Sequence, residues 1–160
     1  LDETFSSPEL ADQTFELISC FYGLYYAQHP DNVLRSATKS LAPSGAIVVV
    51  GPYGDNNASL FALLENYLEL PELVVRSSTS FMEQEVVPVL EERLAVRRET
   101  FVNRVRYPDP EAVMTYWRAS TFFDAKHADV IESDVKKHFD DHDEFVVEKH
   151  VMAAIGIADA

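Results

Sequence analysis

The chain is poor in several of the residues from which common sites are built. It holds a single cysteine, Cys20, which excludes an internal disulfide and makes a reducing cytoplasm the expected compartment. Its five glycines, Gly23, Gly45, Gly51, Gly54 and Gly156, are scattered. No two of them form the GxG of a nucleotide-binding turn, where bare backbone N–H groups approach a ligand closely. Thirteen lysines and arginines face 27 acids, a net charge of −14. The basic pairs Arg97-Arg98 and Lys136-Lys137 are isolated and read as solvated faces, so a nucleic-acid partner, which needs a basic track along its phosphates, is not expected. With five lysines in the chain, the acidity also fits a salty cytoplasm. No apolar run approaches the roughly 18 residues needed to cross a bilayer. Leu1 is followed at once by Asp2 and Glu3, without the basic leader and apolar stretch of a signal peptide, so no membrane association is expected. The absent initiator methionine suggests a trimmed start.

What is present points to a packed α/β domain. Hydrophobic residues make up 47% of 160 residues, enough to bury one core. An apolar strand is expected over Phe15–Phe21, an amphipathic helix from Asp31 to about Leu41, a turn at Ala42-Pro43-Ser44-Gly45, and a second apolar strand over Ala46–Val50. Strand, helix, turn and strand in so short a span form a βαβ unit with a parallel pair. Asp55, Asn56 or Asn57 is placed to cap a helix carrying Leu60, Phe61, Leu64 and Leu68 and stopped by Pro71. Ser77–Ser80 reads as a polar linker, and Glu83–Arg93 as a short helix interrupted near Pro88 or as two turns. Leu94–Tyr107 reads as a strand. Pro108-Asp109-Pro110 opens a helix whose apolar face includes Val113, Tyr116, Trp117 and Phe123, with Pro110 at a favourable early position. A further helix is expected over Ala128–Phe139. The chain then ends on a long strand, Phe145–Ile157, with Val147, Lys149, Val151 and Ala153 on one face and Val146, Glu148, His150 and Met152 on the other.

Residues 1 to about 55 resemble the class I S-adenosylmethionine-dependent methyltransferases, near the small-molecule methyltransferase type 11 group. That family has a strand of the form F-D-hydrophobic-hydrophobic, a helix with a leucine-rich face, the turn L-x-P-G-G and an apolar strand. Here these match Phe15, Glu16, Leu17 and Ile18; Val33, Leu34, Ala37 and Leu41; Leu41, Pro43, Ser44 and Gly45; and Ile47–Val50. Glu16 stands in place of the usual Asp and Ser44 in place of the first glycine. The remainder resembles the family in topology only.

The resemblance implies an α/β fold with a Rossmann-like sheet. This would be its C-terminal half, with strands resembling the fourth to the seventh, the last two antiparallel and helices flanking the sheet. Residues 1–160 then form a single partial domain, and 69–93 and 108–143 are helical connections expected to cover the substrate site. The implied cofactor is S-adenosylmethionine, bound by a longer parent. Weak or no binding is expected of this chain alone, because the glycine-rich turn and the acid that follows the second strand are missing from it.

The resemblance also suggests site residues. Asp2 and Glu3 match an acidic pair near the adenine, with a frayed charged terminus as the alternative reading. Cys20, Phe21 and Tyr22 lie where the first strand would pass the methionine part of the cofactor. As plain residues, Phe21 and Tyr22 are equally core aromatics, and Cys20 a small core residue. Tyr25, Tyr26 and Tyr53 are substrate-side candidates, Tyr53 also fitting simple surface packing. His29 is a weak acid–base candidate, or merely the residue that enters a helix before Pro30. His138 and His142 share the four-residue spacing of a metal pair, but the charged run around them reads as a solvated helix end, and no metal is expected. Arg104, Arg106 and Arg118 are expected to pair with carboxylates rather than with a substrate.

Three readings of function follow. The first is methyl transfer to a small-molecule acceptor as part of a longer chain. The second is a non-catalytic half-domain serving dimerisation or partner complementation. The third is another enzyme, such as a dehydrogenase, on a doubly wound sheet. The unpaired apolar edge of Phe15–Phe21 implies that the chain pairs with another chain, swaps a segment, or is a fragment of a longer enzyme, with a homo-oligomer or pairing through that edge expected.

Overall fold

A computed structural model describes residues 13–159. Its sheet has four strands, β1 (Phe15–Phe21), β2 (Leu41–Pro52), β3 (Ala95–Tyr107) and β4 (Phe145–Ile157), in the spatial order β1-β2-β4-β3. β1 and β2 are parallel and joined by α1 (Pro30–Lys39), as the βαβ pattern requires, while β4 runs antiparallel to both β2 and β3. Between β2 and β3 the chain forms α2 (Ala58–Leu64), α3 (Glu72–Thr79), a π-helical turn (Met82–Val86) and α4 (Val87–Glu91). Between β3 and β4 it forms α5 (Pro110–Arg118) and α6 (Ala128–Asp141).

Alternation along the strands sends side chains to two separate cores. Ile18, Ile47, Val49, Met152 and Ala154 meet Leu34 and Ala37 of α1 and Val87 and Leu90 of α4. On the opposite face, Phe145 and Val147 meet Leu60, Phe61 and Leu64 of α2, Val113, Met114 and Trp117 of α5, and Ile131 and Val135 of α6. The result is three layers, helices on both faces of one mixed sheet. Gly51 of β2 lets the π-helical turn close on the sheet, since a Cβ there would lie 2.9 Å from Met82 Sδ.

The edges differ. β3 bears Arg97, Arg98, Glu99, Arg104 and Arg106, and charged side chains of this kind discourage strand addition. Arg98 pairs with Glu91 at 2.6 Å, Arg104 with Glu148 at 2.7 Å, and Arg106 with Glu144. β1, the other edge, leaves Leu17 60% and Phe21 62% exposed. They lie on the face opposite α1, in register with Ala46 and Val50 of β2.

The structure departs from the sequence reading in four places. Ala42–Gly45 is not a free turn: α1 ends at Lys39, and Leu41 already pairs with Phe15. The next partner of β2, Ala46, pairs with Leu17, so the intervening residues bulge out of the ladder. Ser44 takes the left-handed φ of 59° within it, and a Cβ on Gly45 would lie 2.8 Å from Ala42 O and 2.9 Å from Phe15 O.

The helix expected through Leu68 ends at Leu64, and Pro71 opens α3 rather than closing α2. Ser77–Ser80 is no linker. Ser77 and Thr79 lie in α3, their hydroxyls donating to Val74 O at 3.1 Å and Val75 O at 2.9 Å, which satisfies polar groups within the helix. Finally, Phe123 lies beyond the end of α5, its ring edge-on to Trp117 at 4.9 Å.

The start of α5 follows its sequence closely. Pro110 takes an early helical position, and the Asp109 carboxylate accepts a hydrogen bond from Ala112 N at 2.8 Å. Asp109→Ala should therefore lower stability by about 1 kcal/mol in urea unfolding, with Asp109→Asn retaining most of it. An alanine variant as stable as the parent would show that this cap does not hold the helix.

Candidate functional site

β1 and β2 end side by side, and the Tyr22 N–H continues their ladder by donating to Val50 O at 2.9 Å. Ligands of open α/β sheets collect beyond such carboxyl ends. A cavity of about 410 Å³ lies there. Tyr22, Tyr25 and Tyr26 line it from the chain after β1, Pro52 from the end of β2, Phe101 and Asn103 from β3, and Lys149 and Val151 from β4. Its helical side is made by Asn56 and Asn57 ahead of α2, by Val74, Ser77 and Ser78 of α3, and by Tyr116 of α5 with Thr121 and Phe122 after it.

Three observations mark this cavity. Among the described residues, the buried polar side chains are Asn56, Asn57, Ser77 and Ser78, and all of them line it. Buried polar groups cost free energy unless partnered, so their convergence on one space is informative. Second, Tyr22 (φ 52°) and Asn57 (φ 63°) both take left-handed backbone conformations. That conformation is costly for a tyrosine, and such strain concentrates at functional sites. Third, Lys149 stands in a position of β4 flanked on the same face by buried Val147 and Val151.

The backbone explains how Asn57 reaches Lys149. After leaving β2 the chain runs along the free edge of β4. Tyr53 N donates to His150 O at 3.2 Å, Asn57 N to Glu148 O at 2.9 Å and Ser59 Oγ to Val146 O at 2.7 Å. This pins Asn57 against the strand, and Lys149 Nζ donates to both Asn57 Oδ1 and Tyr116 Oη. The ammonium also lies 4.2 Å from the centre of the Tyr116 ring, within cation–π range. Burial lowers the Lys149 pKa from 10.5 to about 8, and among the described residues no carboxylate pairs with it. Burial pushes Tyr25 up to about 12 and raises Tyr116 and Tyr22.

The sequence-derived candidates divide. Tyr22, Tyr25 and Tyr26 come together on the cavity wall. Cys20 and Tyr53 pack against the first core instead, with Tyr53 edge-on to His150 at 6.0 Å. Phe21 stands on the open face of the sheet. His29 is exposed at the entrance to α1 and makes no side-chain cap. Asp2 and Glu3 lie outside the described residues.

Arg118 is engaged by Glu111 at 3.0 Å and Glu132 at 3.2 Å. His138 and His142 stack at 4.2 Å, and among the described residues no group of three or more His, Cys, Asp or Glu is arranged to hold a metal ion. Lys149, Asn57 and Tyr116 escaped the sequence reading as site residues. The one available sign was a lysine on the strand face otherwise made by Val147, Val151 and Ala153.

The cavity does not fit the cofactor that the family resemblance implies. S-adenosylmethionine carries a cationic sulfonium, an ammonium and ribose hydroxyls. Among the described residues, the lining has a lysine and no carboxylate, and no glycine-rich turn stands at the end of β1. Amides, hydroxyls, aromatic rings and one ammonium suit a neutral or anionic ligand.

The Lys149 shift has a defined pH signature. The folded protein releases this proton near pH 8, whereas the unfolded chain holds it to about 10.5. Within that window the unfolded state binds more protons, so the contribution of Lys149 to stability rises with pH. In urea unfolding between pH 7 and pH 10, the parent should gain stability relative to Lys149→Met, mostly above pH 8. A constant difference would mean that Lys149 is as well solvated folded as unfolded.

No protein-family profile and no curated protein sequence matches the chain. Solved structures do. A candidate methyltransferase from Bacillus halodurans aligns with 99% of this chain and 76% of its own, at a TM-score of 0.59 and 12% identity. The YcgJ protein of Bacillus subtilis aligns with 99% of this chain and 68% of its own, at a TM-score of 0.53 and 13% identity. With its mixed sheet, antiparallel last strands and flanking helices, the chain has the Rossmann-like α/β fold of the class I methyltransferases.

Proposed function

We propose that the chain forms the acceptor-binding part of an S-adenosylmethionine-dependent methyltransferase that acts on a small molecule in the cytoplasm. The observation that carries this reading is the polar, aromatic cavity at the carboxyl ends of the β1–β2 parallel pair, in a fold shared with a candidate methyltransferase from Bacillus halodurans. Asn56, Asn57, Ser77 and Ser78 supply hydrogen bonds that orient an acceptor, and Tyr22, Tyr26 and Phe122 supply walls that exclude water from it. Residues 69–93 and 108–143 both contribute to this enclosure, through α3 and through α5 with the loop after it. The cofactor is held by a longer parent chain, whose glycine-rich turn and ribose-binding acid complete the site.

Calorimetry with S-adenosylhomocysteine tests this. The 160-residue chain should bind weakly or not at all, and a chain extended by its upstream coding sequence should bind in the micromolar range. Failure of the extended chain to bind would remove the methyl-transfer reading, and tight binding by the short chain would place the cofactor site within it.

A second reading is favoured by one feature, the edge strand β1 with Leu17 and Phe21 exposed. In it, the chain is a half-domain that pairs with a second copy through that edge. Light scattering across a hundredfold concentration range should then show a dimer that Phe21→Lys dissociates. A monomer at every concentration would exclude it.

A further inference from the structure

We propose that the cavity selects an acceptor consisting of an aromatic ring that bears an anionic oxygen, a carboxylate or a phenolate, and that Lys149 is the anchor for that oxygen. The inference rests on the reading of this cavity as the acceptor site and names the chemistry of its ligand.

The first ground is the hydrogen-bonding of the ammonium. A lysine Nζ carries three donors. Asn57 Oδ1 and Tyr116 Oη each accept one, and both partners are neutral. One donor and the full positive charge therefore remain for a ligand. The chain has carboxylates in excess, with 27 acids in all, and its outer cations use them: Arg104, Arg106 and Arg118 are each paired. Among the described residues no carboxylate pairs with Lys149, and burial is the cause of its lowered pKa. A half-buried cation held by two neutral oxygens is the arrangement that an incoming anion improves, through a short charge-assisted hydrogen bond.

The second ground is the set of flat, incompletely covered rings around it. Tyr26 is 64%, Phe101 57% and Tyr22 46% exposed, and all three line the cavity that holds Lys149. Exposed aromatic faces on a shared concave wall favour a planar apolar partner, stacked or edge-on. An anion without a ring would leave those faces in water, and a ring without an anion would leave the third donor of Lys149 unused.

The ionisable groups that face Lys149 across the cavity are Tyr116 from α5 and Tyr22, Tyr25 and Tyr26 from the chain after β1. Among the described residues, the segment ahead of α2, α3 itself and β3 present only amides, hydroxyls and apolar groups there. Burial raises Tyr116, Tyr22 and Tyr25 above the ordinary tyrosine range. They stay neutral where the lysine loses its charge, and a preference for anions should fade as pH rises through that of Lys149.

The test uses 2-naphthoate and its neutral analogue 2-naphthamide, with affinities taken from ligand-observed NMR. At pH 7 the carboxylate should bind at least about tenfold more tightly than the amide, the scale of one hydrogen bond to a charged group. At pH 9.5 that preference should fall several-fold, although the carboxylate stays ionised. Lys149→Met should abolish the preference, leaving carboxylate and amide with similar affinities.

Equal affinities at pH 7, a preference unchanged at pH 9.5, or no binding of either ring would overturn the proposal. The pH arm uses the unaltered protein, so the outcome does not depend on the variant folding. The cofactor plays no part in these measurements. A failed preference beside micromolar S-adenosylhomocysteine binding by the extended chain would sink the anion anchor alone. A clear preference beside no such binding would sink the methyl-transfer reading alone.

Discussion

Strand β4 is the element on which the other parts depend, because it must satisfy neighbours on both edges and both faces. β3 pairs with it along its whole length, from Phe145 to Ile157, and β2 only from Val151 onward. The carbonyls of Val146, Glu148 and His150 are left to find donors elsewhere. They find them in Ser59, Asn57 and Tyr53, so the chain leaving β2 must follow β4 before it can begin α2. These hydrogen bonds, which pair backbone carbonyls that β2 leaves free, hold the start of α2 against β4, with Asn57 in a left-handed conformation. They also bring the Asn57 amide to Lys149. The position of the cavity is thus a consequence of how the sheet ends rather than of a separate loop.

The electrostatics of Lys149 follow from the same geometry. Its slot on β4 is one that alternation directs toward the helical layer of α2 and α5, where an unpartnered charge is costly. Asn57 and Tyr116 reduce that cost without neutralising the charge, which a carboxylate in either position would do. In a chain with net charge −14, an acidic neighbour would have been statistically easy to supply. Around the outer surface it is supplied repeatedly: Lys136 pairs with Glu132 at 2.6 Å, Lys137 with Asp134 at 2.7 Å and Arg35 with Asp31 at 2.6 Å. These exposed pairs contribute little to stability. The contrast between a matched exterior and an unmatched interior cation is what gives the cavity its character.

Much of this fold was legible in the sequence. Phe15–Phe21, the helix after Pro30, the strand through Val50, and the two long strands at Ala95–Tyr107 and Phe145–Ile157 all announce themselves by local periodicity, and the structure forms each of them. The failures occur where long-range contacts override local chemistry. Ala42-Pro43-Ser44-Gly45 has the composition of a turn, yet Phe15 N bonds to Ser40 O and Ala158 N to Gly45 O, which draws the segment into the sheet as a bulge. Ser77–Ser80 has the composition of a linker, but its hydroxyls can serve helix carbonyls as well as water, and packing selects the helix. Of the site, the tyrosines after β1 were visible because they follow a parallel strand's carboxyl end. Lys149 and Asn57 were not, since they lie 92 residues apart and meet only once β4 has been threaded between β2 and β3.

The open part of the sheet face bears directly on the cavity. Phe21 pairs with Val50, and the next residue on, Tyr22, is already cavity wall. Pro52, two residues beyond Val50 on the same face, is wall as well. The exposed ring of Phe21 therefore stands directly beside the side of the cavity formed by Tyr22 and Tyr26. A further chain segment or a second copy laid over Phe21, as proposed, would also complete that side. Completion removes water from around Lys149, and an ammonium–anion contact strengthens as the surrounding dielectric falls. On the proposed reading, covering the edge of β1 and tightening the hold on an acceptor would be coupled, because Phe21 and the cavity residue Tyr22 are adjacent.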